Sequence, residues 1–486
     1  MYAIGIDLGT TGCKAVMADR NGNIVEQEYI EYPLIVISDK MIEQDANLWW
    51  ELSCRAVKSV VERSGIAPEQ VTGISVSSQG ISFVLVDENT MPLSNAISWL
   101  DTRPQREMQL ISDRFSETEI FKITGKRINS LYVLPKLLWY KRNKKTLYRK
   151  AYKLLTAHDF LIAKMSGRYV TDYTMAAGTM VFDVKQCCWS DKIIKAFDVR
   201  RELLPEVHIA GTELGELLPA AAEKMGLTAK TQVVVGGQDQ KVAAYTAEPD
   251  SGMATLCLGT AGAMEFIIDQ PVFDKKMRMP LFPYLTENKW TLEAVVSTTG
   301  AALKWYRNVF FPGSTYKELD HLAINSVPGS KDVYFYPHFG SATSPHWVEN
   351  AKGMFYGLTL DSKKEDVTRS ILEGIAFQIR FNIEICEKLS NKIDTITIFG
   401  SGSLSDIWCD IIAGVTGKTI IPLSTPDAVG LGAAKLAFKA TGGLDKNYCK
   451  NIMNNGRMFS ADKDTLKKYH NVYQKYRAVE KKLLTL

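Results

Sequence analysis

The sequence lacks the cysteine patterns that organise metal-binding or disulfide-linked folds. Its 8 cysteines are scattered over 486 residues, without a Cys-x-x-Cys pair and without a histidine at metal-ligand spacing. Zinc ribbons and disulfide frameworks are therefore excluded as the basis of the fold. Long apolar runs are lacking too, since no segment approaches the length of a membrane span. Strand-forming residues begin at Tyr2, which leaves no room for a signal peptide, so we expect a cytoplasmic protein without membrane contact.

The sequence also lacks a large excess of charge of either sign. The formal net charge is +4, from 58 basic and 54 acidic residues, which gives no reason to expect a nucleic-acid partner. The densest basic cluster, at residues 141–145, is interpreted as a solvated helix face rather than a binding patch. What is present is the composition of a globular protein, 46% hydrophobic and 23% charged. A chain of 486 residues exceeds one ordinary core, so two or more domains are expected.

The most informative stretch is residues 4–17. Apolar residues alternate on both sides of a Gly-Thr-Thr-Gly turn, which predicts two strands joined by a short hairpin. The hydroxyls of Thr10 and Thr11 and the cation of Lys14 suit the oxygens and the charge of a phosphate. Asp7, at the end of the first strand, is placed to hold Mg²⁺ through water. An ordinary glycine-rich hairpin would give the same pattern, so the motif needs support from elsewhere in the chain.

That support comes from a second copy in the other half of the sequence. Residues 254–266 again predict a strand, a Gly-Thr-Ala-Gly turn and a strand. Two phosphate-type hairpins that open halves of similar size indicate an internal duplication, with a nucleotide between the halves. Residues 249–252, Pro-Asp-Ser-Gly, interrupt the pattern of strands and helices. We therefore place the domain boundary there and predict domains over 1–247 and 248–486.

Polar and small residues follow several predicted strands. A strand over 71–76 ends in Ser-Ser-Gln-Gly, and a short strand over 96–99 leads into Trp99 and Asp101. Such strand ends form ligand pockets in α/β folds.

Two further segments predict helices. The apolar run 233–235 is followed by Gly236 and Gly237, which we expect to turn the chain into a helix that Asp239 opens. Residues 365–389 carry apolar side chains every four positions, which predicts a long helix facing the core.

Together these residues resemble the FGGY family of carbohydrate kinases, relatives of actin, Hsp70 and hexokinase. The similarity extends from residue 5 to about residue 434. Its most specific element is Gly-Met-Phe-Tyr-Gly-Leu at 353–358 together with the Asp-Val and Ser-Ile-Leu-Glu segments within 366–373, which match the second family signature. Residues 135–139 resemble the core of the first signature, although Tyr132 departs from it. The resemblance implies an α/β fold of two ribonuclease H-like domains, with the active site in the cleft between them.

The resemblance also implies which residues bind the nucleotide. They are Asp7, Gly9, Thr10, Thr11, Lys14, Gly259, Thr260, Gly262, Gly300, Lys304, Gly400, Gly402 and Ser405. The first five form one phosphate segment and the next three the other, and the last three resemble an adenosine-side glycine motif. Gly-Ser-Gly stands in that motif where many relatives have three glycines.

The implied reaction is transfer of the γ-phosphoryl group of MgATP to a hydroxyl of a small sugar, so ATP and Mg²⁺ are the expected cofactors. Asp239 stands at the position of the family's catalytic aspartate, which orients the hydroxyl and takes its proton. Because Asp239 opens a helix, we expect its pKa to be held low. Lys14 and a magnesium ion near Asp7 would neutralise the phosphate chain. A homodimer is compatible with the family, although no stretch of the sequence identifies an interface.

The identity of the sugar depends on fewer residues. The implied substrate-binding residues are Gln79, Gly80, Ile81, Trp99, Asp101, Asp239 and Gln240. Glycerol kinases carry an Arg-Glu pair near the first of these, so glycerol is not expected. Xylulose kinases typically show Gln-Met-His-Gly where this chain has Gln-Gly-Ile-Ser at 79–82. Many also carry a Glu-Arg pair before the proline of segment 340–345, where this chain has none. The general layout is still most similar to the xylulose kinase branch, which predicts a ketopentose such as D-xylulose.

Alternatives of two kinds remain open. Within the family the acceptor could be L-xylulose, D-ribulose, another ketose, a polyol, gluconate or an autoinducer-type hydroxyketone. Outside catalysis the chain could be a silent sugar- or nucleotide-binding regulator, or a nucleotide-driven chaperone or filament. The presence of Asp239 and of both Gly-Thr turns favours a kinase over a regulator. The family signature disfavours a nucleotide-driven chaperone or filament.

Overall fold

The strands and helices of the first half follow the hydrophobic pattern closely. The computed structural model describes residues 1–249, 252–339, 341–348, 350–453 and 456–484. The strands of the first half are β1 (Tyr2–Leu8), β2 (Gly12–Asp19), β3 (Ile24–Glu31), β4 (Ile35–Val36), β5 (Ile42–Gln44), β6 (Val71–Ser78), β7 (Phe83–Val86), β8 (Ala96–Ile97), β9 (Lys153–Thr156), β10 (Val170–Asp172), β11 (Phe182–Asp183), β12 (Cys188–Trp189), β13 (Glu206–His208), β14 (Glu213–Glu216) and β15 (Gln232–Gln238). Its helices are α1 (Ala46–Ser64), α2 (Gln105–Ser112), α3 (Glu117–Thr124), α4 (Val133–Asn143), α5 (Lys145–Lys150), α6 (Ala157–Ser166), α7 (Tyr173–Ala177), α8 (Asp191–Phe197), α9 (Pro219–Met225) and α10 (Asp239–Thr246).

The second half, like the first, begins with a run of strands. Its strands are β16 (Met253–Leu258), β17 (Gly262–Ile268), β18 (Leu281–Pro283), β19 (Trp290–Val296), β20 (Tyr334–Tyr336), β21 (Met354–Tyr356), β22 (Thr395–Phe399) and β23 (Thr419–Pro422). Its helices are α11 (Gly300–Phe310), α12 (Tyr316–Ile324), α13 (Lys364–Leu389), α14 (Asp406–Thr416), α15 (Ala428–Ala440), α16 (Tyr448–Ile452) and α17 (Lys463–Leu483).

Two sheets of the same design organise these elements. The first has the order β14-β15-β6-β1-β2-β3 and the second the order β18-β19-β17-β16-β22-β23. In each, the first strand pairs antiparallel with the hairpin strand that follows it and parallel with a strand that comes much later in the chain. This is the strand arrangement of a ribonuclease H-like domain, present twice. The predicted fold class and the internal duplication are confirmed.

Helices cover both faces of the first sheet. On one face α1 begins after Asp45, whose carboxylate accepts a hydrogen bond from the Asn47 amide, and it ends at Gly65 with φ of 65°. These are a standard N-cap and C-cap, so local sequence fixes both ends of the helix. Its apolar side, which includes the fully buried Trp49, packs with α6 and α9 against the sheet. In the second half the predicted long helix is α13, where Ile371, Ile375, Ile379 and Ile383 are buried as expected.

The two halves meet through α10 and α15, and glycine permits the contact. Helix α10 follows β15 of the first sheet and reaches β16 and β17 of the second, whereas α15 comes from the second half and lies on β1 and β6. A Cβ atom on Gly432 would lie 2.2 Å from the Val242 carbonyl oxygen, and one on Gly5 would lie 1.9 Å from that of Gly430. Backbones therefore touch where the helices and β1 cross, and any side chain would separate them.

One expectation about the first half is wrong. Gly236 and Gly237 were expected to turn the chain, but both lie inside β15, where the pairing with β6 shifts register. A Cβ atom on Gly236 would lie 1.8 Å from the Val76 carbonyl oxygen. These glycines therefore serve a close approach between neighbouring strands, while the helix begins at Asp239 as predicted.

The interval between the halves is only partly described. Helix α10 ends at Thr246 and β16 begins at Met253, but Asp250 and Ser251 of the predicted break lie outside the described residues. The boundary between 247 and 248 stays a prediction. Among the described helices, none combines the length and the apolar character needed to cross a membrane.

Replacing Gly432 by alanine should destabilise the protein. Alanine is normally the better helix former by about 1 kcal/mol. Here its Cβ atom would press on the Val242 carbonyl, and overpacking of this kind costs about 1–3 kcal/mol. We expect a lower urea midpoint for Gly432→Ala, followed by circular dichroism. The control is Lys439→Ala on the exposed side of the same helix, which should leave the midpoint nearly unchanged. A Gly432→Ala midpoint equal to or above that of the native protein would contradict close helix contact.

Candidate active site

Three strands of the first sheet end side by side and set the position of the site. Asp7 in β1 lies opposite Lys14 in β2 and opposite Ser77 in β6. Ser77 in turn lies opposite Gly237 of β15, two residues before Asp239. The register therefore brings the predicted metal-binding residue, the predicted phosphate-binding cation and the predicted catalytic residue to one edge of the sheet.

The turn between β1 and β2 has its carbonyl oxygens engaged by protein donors. The Tyr32 hydroxyl donates to the Gly9 carbonyl, Gln44 Nε2 donates to the Thr10 carbonyl at 2.7 Å, and the Tyr32 amide donates to the Thr11 carbonyl at 3.0 Å. Carbonyl oxygens would repel a phosphate, and here they are already satisfied. Binding of an anion at this turn stays a prediction, with which the engaged carbonyl oxygens are compatible.

The turn between β16 and β17 is built on the same plan. The Gly259 carbonyl accepts hydrogen bonds from the Gly300 amide and from Thr299 Oγ1, both at 2.8 Å. The Thr260 carbonyl accepts from the amides of Thr299 at 3.0 Å and Ala301 at 3.1 Å. The first residues of α11 therefore hold this turn, which explains why the turn and Gly300 act as a unit.

Glycine is required where α11 meets this turn. A Cβ atom on Gly300 would lie 2.5 Å from the Gly259 carbonyl oxygen, and one on Gly262 would lie 2.8 Å from Thr299 Cγ2. Both contacts are too short for a side chain.

The carboxylates of Asp7 and Asp239 are the electrostatic centre of the site. Burial, and then the charge of Asp239, raise the pKa of Asp7 to about 7. Burial raises the pKa of Asp239 to about 6, although the Gln240 amide donates to it at 2.7 Å. The expected low pKa of Asp239 is therefore wrong, because desolvation outweighs the hydrogen bond at the start of α10.

The second sheet faces the same carboxylates. Cys257, near the end of β16, has its pKa raised to about 12 by burial and then by the charges of Asp239 and Asp7. The second turn begins two residues later, at Gly259. Helix α10, which Asp239 opens, also contacts β16 and β17, the two strands that flank the second turn.

Lys14 has a partner that the sequence analysis missed. Its ammonium group donates to Asp427, the residue just before α15. Asp427 also contributes to the raised pKa of Asp7. In the sequence, Pro426 and Asp427 precede a run of small residues, a pattern that predicts the start of a helix. That pattern does not predict a contact with Lys14, which is 413 residues away in the chain.

The predicted sugar-binding residues lie at the end of β6 and behind the first turn. Gln79 is buried, donates to Gln44 Oε1 at 3.0 Å and accepts from Ser82 Oγ at 3.1 Å. Trp99 Nε1 donates to Thr10 Oγ1 at 2.9 Å, which links this region to the first turn. Ile81 has φ of 61°, a conformation that a β-branched residue rarely adopts and that tends to occur at ligand sites.

Asp101 is placed differently from the other predicted sugar-binding residues. It is fully buried, pairs with Arg103 at 2.7 Å and accepts from the Ile42 amide at 2.8 Å. Both oxygens are engaged by the protein, so the geometry favours a positioning role over a substrate contact. Arg103 also pairs with Glu43 at 2.8 Å.

A cavity of about 750 Å³ lies in the second half and is lined by most of the nucleotide residues predicted in that half. Those among its lining residues are Gly259, Thr260, Gly300, Lys304, Gly402 and Ser405. Gly400, with φ of 84°, turns the chain at its edge. Asp320 and Trp408 also line the cavity and were not predicted, and Asp320 accepts from Ser405 Oγ at 2.9 Å. Neither residue belongs to a motif, so only the fold could reveal them.

Two domains of this design, with two Gly-Thr turns and a cavity of nucleotide size, define a protein of the actin and hexokinase structural type. Models of the FGGY family of carbohydrate kinases match the chain, the N-terminal domain at residues 2–246 and the C-terminal domain at residues 254–441. The chain therefore belongs to the FGGY family of carbohydrate kinases, and it is an ATP-dependent sugar kinase.

Relatives that span nearly the whole chain agree with this. The chain is 27% identical over 482 residues to a xylulose kinase from Bacillus subtilis. This match covers 98% of this chain and 96% of the relative. A gluconate kinase and a xylulose kinase from Lactobacillus acidophilus have crystal structures that match with a TM-score of 0.92 each. Both are 26% identical to this chain, and each match covers 99% of it and 98% of the other chain. The predicted family, fold and enzyme class are confirmed.

The contact between Gly300 and the second turn predicts an effect on ATP. In Gly300→Ala the new Cβ atom would push the Gly259 carbonyl away and displace the turn. We expect KM for ATP to rise at least about tenfold, because small displacements in a positioned site are costly. Steady-state kinetics with ATP varied measure this. The control is Val309→Ala, an exposed position on the same helix, which should leave KM unchanged. A folded Gly300→Ala enzyme with native KM for ATP would show that the turn does not bind nucleotide.

Proposed function

We propose that this chain transfers the γ-phosphoryl group of MgATP to a hydroxyl of a ketopentose, with D-xylulose as the first candidate. The observation that carries the proposal is that strand register places Asp7 and Lys14 at the sheet edge where Asp239 opens α10, the helix that reaches β16 and β17 beside the second turn. Phosphoryl transfer through a loose transition state depends mainly on positioning and charge neutralisation. A site with two donor-rich turns, one ammonium group and paired carboxylates is equipped for both.

Asp7 and Asp239 also fit a magnesium ion. Carboxylate oxygens are the ligands that Mg²⁺ prefers, and it commonly retains several waters. The two carboxylates repel each other, as the raised pKa of Asp7 indicates, so a divalent cation would relieve the repulsion. We assign Asp7 as the residue that would hold Mg²⁺, through water. When bound, Mg²⁺ would offset the negative charge of the phosphate oxygens.

Asp239 is proposed as the catalytic residue. It opens α10 at the edge where β1, β6 and β15 end, and its Oδ1 is oriented by the Gln240 amide and by Gln238. At neutral pH a carboxyl group with a pKa of about 6 is mostly ionised and is a better base than an exposed aspartate. It would orient the sugar hydroxyl and accept its proton as the bond to phosphorus forms.

The nucleotide is proposed to lie along the second half. The 750 Å³ cavity between α11 and α14 would hold the adenosine, with Gly400, Gly402 and Ser405 beside it and Lys304 lining the wall. The turn at 259–262 would bind the distal phosphates, together with the turn at 9–12 and Lys14. Both turns have their carbonyl oxygens engaged elsewhere, which supports binding of an anion.

A neutral ketose is favoured over an aldonate by the charges around the predicted sugar site. A carboxylate substrate such as gluconate needs a cation, and the guanidinium of Arg103 is already paired with Asp101 and Glu43. Gln79 and Trp99 are neutral as well, and their polar groups are engaged by Gln44, Ser82 and Thr10, so neither residue supplies a cation for a carboxylate. The names of the relatives divide between xylulose and gluconate, so this charge argument is what favours the ketose. L-xylulose, D-ribulose, a polyol and an autoinducer-type hydroxyketone are the competing acceptors.

Two features outside the site stay predictions. The cytoplasmic location is expected from the sequence alone, and a homodimer is expected only from the family. Sedimentation of the purified protein would decide the second.

A substrate panel with Asp239→Asn tests the proposal. We expect ADP release with MgATP to be fastest with one ketopentose. We expect the Asp239→Asn variant to lose about 10²–10⁴-fold in kcat, because it lacks the proton acceptor. ATP binding to the variant, measured by calorimetry, should be nearly unchanged. The control is Asp464→Asn, an exposed carboxylate on α17. Faster turnover of gluconate or a polyol would overturn the choice of sugar, and full activity of Asp239→Asn would overturn the catalytic assignment.

The raised pKa of Asp239 predicts the pH dependence. The ionised carboxylate is the active form, so kcat/KM for the sugar should be constant at higher pH and fall as pH decreases through about 6. Below that point the fall should approach tenfold per pH unit. A pH profile at saturating magnesium measures this. Activity that persisted undiminished to pH 4.5 would match an ordinary aspartate near its usual pKa of about 3.9 and contradict the effect of burial.

A further inference from the structure

A group of metal-ligating side chains lies in the second half of the molecule. His338 follows β20, His346 lies in the segment between β20 and β21, and Glu480 is in α17. The Nε2 atoms of both histidines lie 3.3 Å from Oε1 of Glu480, and all three ligand atoms lie within 4.8 Å of one another. The side chains are 9%, 12% and 1% exposed. The three residues are separated too widely in the sequence for a spacing rule to find them.

Hydrogen bonds account poorly for this arrangement. Oε1 of Glu480 is approached by three nitrogens, from His338, His346 and Gln378, although a carboxylate oxygen has two lone pairs. His346 Nε2 is buried and has no hydrogen bond of good geometry within the described part of the chain. Gln378 Nε2 has another acceptor, the Tyr476 hydroxyl at 2.8 Å. Oε1 can therefore take a different partner without leaving the Gln378 amide unsatisfied.

The two nitrogen–oxygen distances match those between ligands of a tetrahedral metal ion. With zinc–nitrogen and zinc–oxygen bonds of about 2.0–2.2 Å, neighbouring ligand atoms lie about 3.3–3.6 Å apart. Two imidazoles and one carboxylate are a common zinc donor set that leaves a fourth position for water. A cavity of about 410 Å³ lined by His346, Glu480 and Arg477 adjoins the group and gives water access to that position.

The second carboxylate oxygen of Glu480 is held by a neighbouring cation on the same helix. Arg477 pairs with Oε2, the oxygen that the histidines do not approach. A pairing of this kind orients a carboxylate whose other oxygen binds metal.

We propose that His338, His346 and Glu480 form a zinc site that fastens α17 to the segment between β20 and β21. The same segment contacts the residues before α11, since Thr298 Oγ1 donates to the Pro337 carbonyl at 2.5 Å and Ser297 Oγ lies 2.8 Å from Thr343 Oγ1. The metal would thus support residues 297–298, which directly precede Thr299 and Gly300, the residues that hold the second phosphate turn. This site is separate from the magnesium ion assigned to Asp7.

Metal titration of the full chain tests the site. Protein freed of metal by a chelator is titrated with Zn²⁺ against a chromophoric competitor, without nucleotide and with excess Mg²⁺ to occupy carboxylate sites elsewhere. We expect one zinc ion per chain, and an affinity that falls more than about a hundredfold in His338→Gln and His346→Gln. The control is His321→Gln, an exposed histidine on α12, which should bind zinc as the native chain does.

A second measurement does not depend on the variants. In the native chain, Co²⁺ should give the intense visible absorption of a four-coordinate ion and shifted proton signals from two histidine N–H groups. Hydrogen exchange within 337–339 and 341–347 should slow when zinc binds. Three results would each overturn the proposal: absence of stoichiometric zinc binding, native zinc affinity in folded His338→Gln and His346→Gln variants, or a six-coordinate cobalt spectrum without histidine signals.

Discussion

Contact between backbones at glycine is the constraint on which the rest of this structure depends. Gly5 of β1 lies against Gly430 of α15, and Gly432 of the same helix lies against Val242 of α10. Through these contacts each half contributes a helix to the other half's sheet. Three carboxylates lie next to this crossing, near the ends of the strand or helix that carries or follows each of them: Asp7, Asp239 and Asp427. The geometry of the site therefore depends on the lack of a side chain at Gly5, Gly430 and Gly432.

The site that results is held at an electrostatic cost. Burial raises the pKa values of Asp7 and Asp239, and the charge of Asp239 raises that of Asp7 further, whereas Lys14, shared with Asp427, lowers the pKa of Asp7. Buried carboxylates of this kind are stabilised by a cation or a proton. A kinase supplies both in its reaction, the metal that accompanies ATP and the proton of the acceptor hydroxyl. The feature that costs stability is thus the feature that suits phosphoryl transfer.

Features encoded by local pattern could be predicted from the sequence. The two Gly-Thr hairpins, the stripe of α13 and the start of α10 at Asp239 depend on residues within one element, and all were found at or near their predicted bounds. Features that depend on distant packing could not. Gly236 serves contact with β6, Asp427 meets Lys14 from the other half, and His338, His346 and Glu480 meet only in the fold. The prediction of a low pKa for Asp239 is wrong for the same reason. Its position at the start of a helix is set by local sequence, but its burial depends on the packing of distant segments.

The most direct test of this account is a crystal structure with Mn²⁺, a non-hydrolysable ATP analogue and the preferred ketose. The account predicts an anomalous manganese peak beside Asp7, the γ-phosphate between the turns at 9–12 and 259–262, and a sugar hydroxyl within about 3 Å of the Asp239 carboxylate. A sugar bound without contact to Asp239, or a γ-phosphate remote from both turns, would contradict it.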